Sequence, residues 1–298
     1  MSSRLIYEEH WARKGDVSLF VARKRLRERP AAQQKRPPVV LVHGSSTSAL
    51  PTFDLTVPGH PDYSFMEWLA LRGWDAWAMD HEGYGRSTIT SGNSDIATGV
   101  DDLKATAALI ASETGVSAFN LYGLSSGSLR VAAFAQAAPQ HCARIVLDAF
   151  VWTGEGSPTL EKRKAGIAQF LASNRRAIDL DYVVGIFLRD GPGTTDPAVA
   201  DACARAQLAY GDSVPTGTYL DMTTKLPLVD SNLIFAPTLI VRGEHDTIAT
   251  MDDLLAFFGR LPSSDKRFAV LPHLAHVATL GKSRHLLWNM VEEFFNAE

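Results

Sequence analysis

Apolar and polar residues alternate along the opening of the chain. Residues 4–13 and 17–26 each keep a two-residue period, with Lys14-Gly15-Asp16 between them, and this pattern predicts an antiparallel hairpin. The pattern then changes. Val39-Val40-Leu41-Val42 is a continuous apolar run that stops at His43-Gly44, as expected of a strand buried on both faces. Comparable runs stand at 75–80, 118–122, 144–148, 238–241 and 267–271. Residues 63–72, 96–114, 126–138, 251–259 and 282–296 instead repeat apolar positions every three or four residues, the spacing of one helix face. Asp95 and Thr250 stand where two of these helices need N-caps. Strand and helix in alternation predict an α/β protein, a mostly parallel sheet with helices on both faces.

One interval breaks the rhythm. Between Asp148 and Thr238 no sheet strand is read, while 159–188 and 197–210 look helical. Arg189-Asp190-Gly191-Pro192-Gly193 divides them and is a strong turn signal. The expectation is a helical excursion that leaves the sheet, covers it and returns.

Composition narrows the class without choosing a function. A chain of 298 residues, 46% hydrophobic and 21% charged, has material for a sizeable core and no sign of disorder. Lys+Arg 29 against Asp+Glu 33 gives −4, so nothing suggests nucleic acid as a partner. The first 38 residues are the exception, with ten Lys/Arg against four Asp/Glu. An arm for a membrane or polyanion is one reading. A solvated outer hairpin is preferred, because the charges alternate with apolar residues. No apolar run of about 18 residues occurs, and the segment 1–10 lacks the apolar core of a secretory signal, so the cytosol is the expected compartment. Cys142 and Cys203 form neither a disulfide framework nor a zinc pattern, and read as inert small hydrophobes.

The strongest chemical signal is Gly123-Leu124-Ser125-Ser126-Gly127, directly after an apolar strand and before an alanine-rich helix. A serine at such a turn is held in a strained conformation with its hydroxyl exposed, and the glycines leave room for close packing. The helix start behind it supplies unpaired N–H groups and a positive dipole end. Ser126 is out of register, since positions 124 and 128 are Leu and Ser.

A serine hydroxyl needs a base. Of nine histidines, His276 follows the last strand and precedes the final helix, where catalytic groups gather in open parallel sheets; His273 is its close competitor. His60 and His81 lie on loops that could approach the site. The base needs an orienting carboxylate. Asp246, just past the 238–241 strand, is favoured over Asp148 and Glu244 because its loop adjoins the strand before the histidine loop.

Four segments in this order resemble the α/β-hydrolase fold superfamily over nearly the whole chain. His43-Gly44-Ser45-Ser46 looks like its oxyanion loop. Asp80-His81-Glu82-Gly83-Tyr84-Gly85-Arg86-Ser87 looks like its Asp-x-x-Gly-x-Gly-x-Ser turn. Residues 123–127 look like its nucleophile elbow, and Gly243-Glu244-His245-Asp246 with His276 look like its acid and base loops. The resemblance implies a catalytic Ser125, Asp246 and His276, and an oxyanion hole of the Ser45 and Ser126 backbone N–H groups. It also makes the excursion a helical lid over 150–235, inserted into a core of 1–149 and 236–298. Two departures are Glu82, where the family often has Arg, and a long loop over 47–62.

The implied activity is hydrolysis of a carboxylic ester or lactone of a small apolar or aromatic substrate, with no metal or organic cofactor. Trp152, Phe170, Tyr182, Phe187, Tyr210 and Tyr219 are the lid's aromatics, available to a substrate or to packing of the lid on the body. Amidase, carbamate hydrolase, carbon–carbon bond hydrolase and acyltransferase chemistry use the same residues. A ligand receptor without turnover, or a cofactor-free lyase or oxygenase, stands further off.

Overall fold

The structure is a computed structural model that describes residues 4–28 and 36–297. The polar connection expected over 31–38 lies outside the described residues up to position 35.

The hairpin forms as its alternation predicts, from β1 (Leu5–Lys14) and β2 (Val17–Leu26). It is not merely an outer, solvated element. Leu19-Phe20-Val21-Ala22 is buried throughout, because β2 pairs antiparallel with β4 (Ala76–Met79) and is thereby an interior strand. Its cations are spent internally: Arg23 grips Asp75 in a bidentate pair and Lys24 reaches Asp54 at 2.5 Å. On β2 these charges are paired on a packed strand, while Arg4, Arg13 and Arg27 are exposed, as a solvated hairpin predicts.

After β3 (Val39–Val42), α1 (Ala49–Phe53) and α2 (Phe65–Leu71) precede β4; α3 (Ile96–Thr114) follows it. Then come β5 (Phe119–Leu124), α4 (Ser126–Ala137) and β6 (Cys142–Asp148). The chain returns to the sheet with β9 (Thr238–Gly243), α10 (Met251–Arg260), β10 (Lys266–Leu271) and α11 (Arg284–Asn296). The eight-stranded sheet has the order β1-β2-β4-β3-β5-β6-β9-β10, parallel from β4 to β10. Both expected caps form: Asp95 accepts from the Thr98 amide and Thr250 from that of Asp253.

Successive strand residues face opposite sides. Val40 and Leu121 meet Leu103, Ile110 and Phe134 of α3 and α4. Tyr122 faces the other way, where Phe65 of α2 packs on it edge-on and stacks against Trp288 of α11. Helices thus cover both faces.

The interval between β6 and β9 is more broken than its periodicity predicts. Instead of one helical run over 159–188 there are α5 (Pro158–Lys164), α6 (Ile167–Ala172), a three-residue strand β7 (Arg175–Ala177) and α7 (Leu180–Leu188). Gly166 separates the first two helices, and a new N-cap, Asp179 accepting from the Tyr182 amide, restarts the chain as α7. After α8 (Pro197–Leu208), β8 (Ser213–Pro215) pairs with β7 rather than with the main sheet, and α9 (Gly217–Thr224) follows. Ile178, Val183, Phe187, Val199, Cys203 and Val214 form a second apolar cluster with Leu55 of the 47–62 loop and Tyr63 just after it. Among the described residues no helix is long and apolar enough to cross a membrane.

Candidate active site

The four loops singled out in the sequence meet at the carboxyl edge of the parallel strands, where an open α/β sheet places its ligands. Ser125 follows β5 with φ +58° and ψ −121°, a conformation L-residues rarely adopt. Two glycines make it possible. A Cβ on Gly123 would lie 2.6 Å from the Gly127 carbonyl oxygen, and one on Gly127 would strike the carbonyls of Val42 and His43. The elbow can pack against β3 only without those methyls.

Ser125 Oγ lies 3.1 Å from His276 Nε2. On the far side of the ring, His276 Nδ1 donates to Asp246 Oδ1 at 3.0 Å. That bond leaves Nε2 free to accept the serine proton. Asp246 also accepts from the Ile248 amide at 2.9 Å. Burial pushes its carboxyl up, but His276 and these hydrogen bonds outweigh burial and hold it below the usual carboxylate range.

The competing residues lie elsewhere. His273 is exposed, its amide donating to Glu244 Oε2 at 2.9 Å. Asp148 is fully buried and accepts from Tyr122 Oη; burial raises its carboxyl to about 8. His60 is 3.7 Å from Asp196. His81 is buried beside Asp102, with burial lowering it well below the ordinary histidine range. Glu82 turns away to Lys14, 2.7 Å distant, so the departure from the family pattern serves the hairpin.

The Ser45 loop is tied from several directions. His43 Nδ1–H donates to the Gly44 carbonyl at 2.7 Å, and its Nε2 accepts from the His81 amide. The Ser45 carbonyl accepts from Tyr84 Oη at 3.1 Å and Arg176 Nη2 at 2.7 Å. Its hydroxyl donates to Ser126 Oγ at 2.7 Å and accepts from Thr218 Oγ1 at 2.9 Å. Tyr84 lies inside the 80–87 turn singled out in the sequence, whereas Arg176 and Thr218 come from the interval between β6 and β9 and no local pattern marks them.

Ser125 and His276 open onto a pocket whose walls include Thr47 and Thr52 of the 47–62 loop, Ile186, Phe187, Leu280, Arg163, Arg189 and Tyr219. Of the six aromatics noted, Phe187 and Tyr219 line it. Trp152 packs edge-on against Phe257, Phe170 against Tyr219, and Tyr182 shares a hydrogen bond with Tyr219. Cys203 also lines the pocket, but burial pushes its thiol up to about 12 and it donates to the Pro51 carbonyl.

One further residue belongs to this neighbourhood. Asp190, from the turn after α7, brings a carboxylate oxygen to Asp246 and His276, with ligand atoms of all three within 4.8 Å. These are the residues that could hold a cation. The Asp190 oxygens, however, already accept from Thr247 and Arg189, and His276 is engaged on both nitrogens.

The serine aminopeptidase S33 family matches residues 59–281, well over half of the chain and spanning the elbow and both loops that follow. The chain belongs to this family. Its members are hydrolases of the α/β-hydrolase fold, and solved structures share the architecture. A 2-hydroxy-6-oxo-6-phenylhexa-2,4-dienoate hydrolase from Rhodococcus superposes with a TM-score of 0.72 at 16% identity, covering 98% of this chain and 100% of its own. An esterase from Thermogutta terrifontis gives 0.68 at 17%, covering 96% and 97%. An enol-lactonase from Burkholderia xenovorans gives 0.66 at 16%, covering 97% and 100%. At such identities the family's members and these structures share a fold with the chain, and reaction specificity has to come from its own site. No curated protein sequence matches the chain.

Proposed function

We propose that this hydrolase cleaves a carboxylic ester or lactone of a small substrate with an apolar or aromatic body, using Ser125 as nucleophile. The observation that carries the reading is the pair of hydrogen bonds running from Asp246 through His276 to Ser125. In this mechanism His276 Nε2 takes the Ser125 proton as Oγ attacks the carbonyl carbon. Asp246 holds the imidazole tautomer and stabilises the imidazolium. The oxyanion is received by the backbone N–H groups of Ser45 and Ser126; donors of this kind are each worth about 2.7–4 kcal/mol in the transition state. His276 then protonates the leaving oxygen. A water, deprotonated by the same nitrogen, releases the acid from the acyl-enzyme.

Ile186, Phe187 and Leu280 give the substrate body an apolar wall. A panel of aryl and alkyl esters and lactones, run on the wild type and on Ser125→Ala, tests the reading. Turnover by the wild type that disappears in the folded variant supports it. Equal turnover by both excludes Ser125 as nucleophile.

A further inference from the structure

We propose that the pocket carries an anion subsite, in which Arg163, Tyr219 and Ser46 of its wall receive a carboxylate borne by the substrate, with Arg176 and Tyr182 bonded to that wall from outside the pocket. This deepens the ester-hydrolase reading and rests on it for the place of the scissile bond. It starts from how the protein treats its other interior cations. Arg23, Lys24, Lys14 and Arg189 each meet a carboxylate. Arg130, fully buried, donates to Ser94 and feels the charges of Asp102, Asp95 and Asp221.

Arg284, also buried, donates to the carbonyls of Pro61, Asp62 and Gly281 and feels the Asp62 charge, whereas no carboxylate acts on Arg163 or Arg176 among the described residues. The Arg163 guanidinium lies 3.7 Å over the Tyr219 ring, and its polar contact is the Met222 sulfur at 4.0 Å. Arg176 is buried, donates to the neutral oxygens of Tyr182, Ser45 and Ser46, and leaves Nε without a partner among the described residues. The oxygens acting on these two arginines belong to phenols, while Arg163 is repelled by Arg189 and Arg176. No Asp or Glu lines the pocket among the described residues. Keeping the Arg176 guanidinium out of water without a carboxylate, with the half-buried Arg163 nearby, is costly, and a ligand that supplies one relieves that cost.

The geometry favours an anion that accepts hydrogen bonds. Tyr219 Oη stands 2.6 Å from Tyr182 Oη, and both lie near Ser46 Oγ, so the arginines are accompanied by three hydroxyls that can donate. Burial raises the Tyr219 phenol, but Arg163 and Arg176 overcome it and draw the phenol below its ordinary value. Arg176 also holds the Ser45 carbonyl, which couples the subsite to the oxyanion loop.

Two matched ester pairs test the subsite: 4-nitrophenyl hemiglutarate against 4-nitrophenyl valerate, and 4-acetoxybenzoate against its methyl ester. The wild type should prefer the charged member of at least one pair by about tenfold or more in kcat/KM, the scale of one charged hydrogen bond. Arg163→Met should collapse that preference, chiefly through KM, and Arg163→Lys should restore part of it. Calorimetry on Ser125→Ala with glutarate, 4-hydroxybenzoate and inorganic phosphate separates binding from turnover. A carboxylate that binds Ser125→Ala and not the Arg163→Met/Ser125→Ala double variant supports the subsite even if no ester is hydrolysed. Preference for the neutral ester in both pairs, or phosphate binding without carboxylate binding, overturns the proposal.

Discussion

The hydroxyl of Ser45 donates to that of Ser126 at 2.7 Å, joining the loop after β3 to the first residue of α4 across 81 positions of sequence. Thr218 Oγ1 donates to the same Ser45 oxygen, so the segment between β6 and β9 reaches the Ser45 loop through this hydroxyl as well as through Arg176. The proposed oxyanion donors are the amides, not these hydroxyls. Ser45→Ala should therefore lower kcat by about three- to tenfold, the cost of a modest positioning hydrogen bond. A loss of a thousandfold on a good ester would mean that the hydroxyl itself meets the substrate.

The proposed acid separates geometry from charge. Asp246→Asn preserves the shape but favours the wrong histidine tautomer, and a drop of about 10⁴ in kcat is expected. His276→Ala should fall at least as far. Both proteins should unfold at temperatures near that of the wild type. Near-full activity in Asp246→Asn would return Asp148 to consideration.

Asp148 carries a distinct pH signature. In the unfolded chain it ionises near 3.8, whereas burial raises it to about 8 in the fold. Between those values the folded protein holds a proton that the unfolded chain has lost, so this residue makes stability fall as pH rises from about 4 to about 8. Asp148→Asn should flatten that slope, as read from urea denaturation at pH 5 and pH 7.5. An unchanged slope would show that Asp148 does not titrate in this window.

The elbow glycines are steric requirements. Gly123→Ala places its methyl 2.6 Å from the Gly127 carbonyl, against backbone that cannot yield cheaply. A loss of about 1–3 kcal/mol, or failure to fold, is expected from such overpacking, measured by denaturant titration. Wild-type stability would contradict the close packing of α4 on β5 at the elbow.

Much of this was legible in the sequence for identifiable reasons. Strands buried on both faces leave short apolar runs, so β3, β5, β6 and β9 stood out. The elbow is local, with Gly123, Ser125 and Gly127 on one turn, and the acid and base loops each follow such a run. The region between β6 and β9 was less readable. Its helices are short, β7 contains two arginines, and its contacts with the site depend on docking. Arg176, Asp190 and Thr218 converge on the site from separate elements, and no spacing in the chain announces them. The charges of β2 misled in the opposite direction, because Asp75 and Asp54, which neutralise Arg23 and Lys24, lie far along the chain.

The central claim is that Ser125 becomes covalently bonded during turnover. Intact-protein mass spectrometry after treatment with a fluorophosphonate, followed by peptide mapping, measures this directly. One adduct is expected, on the peptide bearing Ser125, abolished by Ser125→Ala and strongly slowed by His276→Ala. A protein that hydrolyses esters yet carries no adduct, or carries it on another residue, would contradict the assignment.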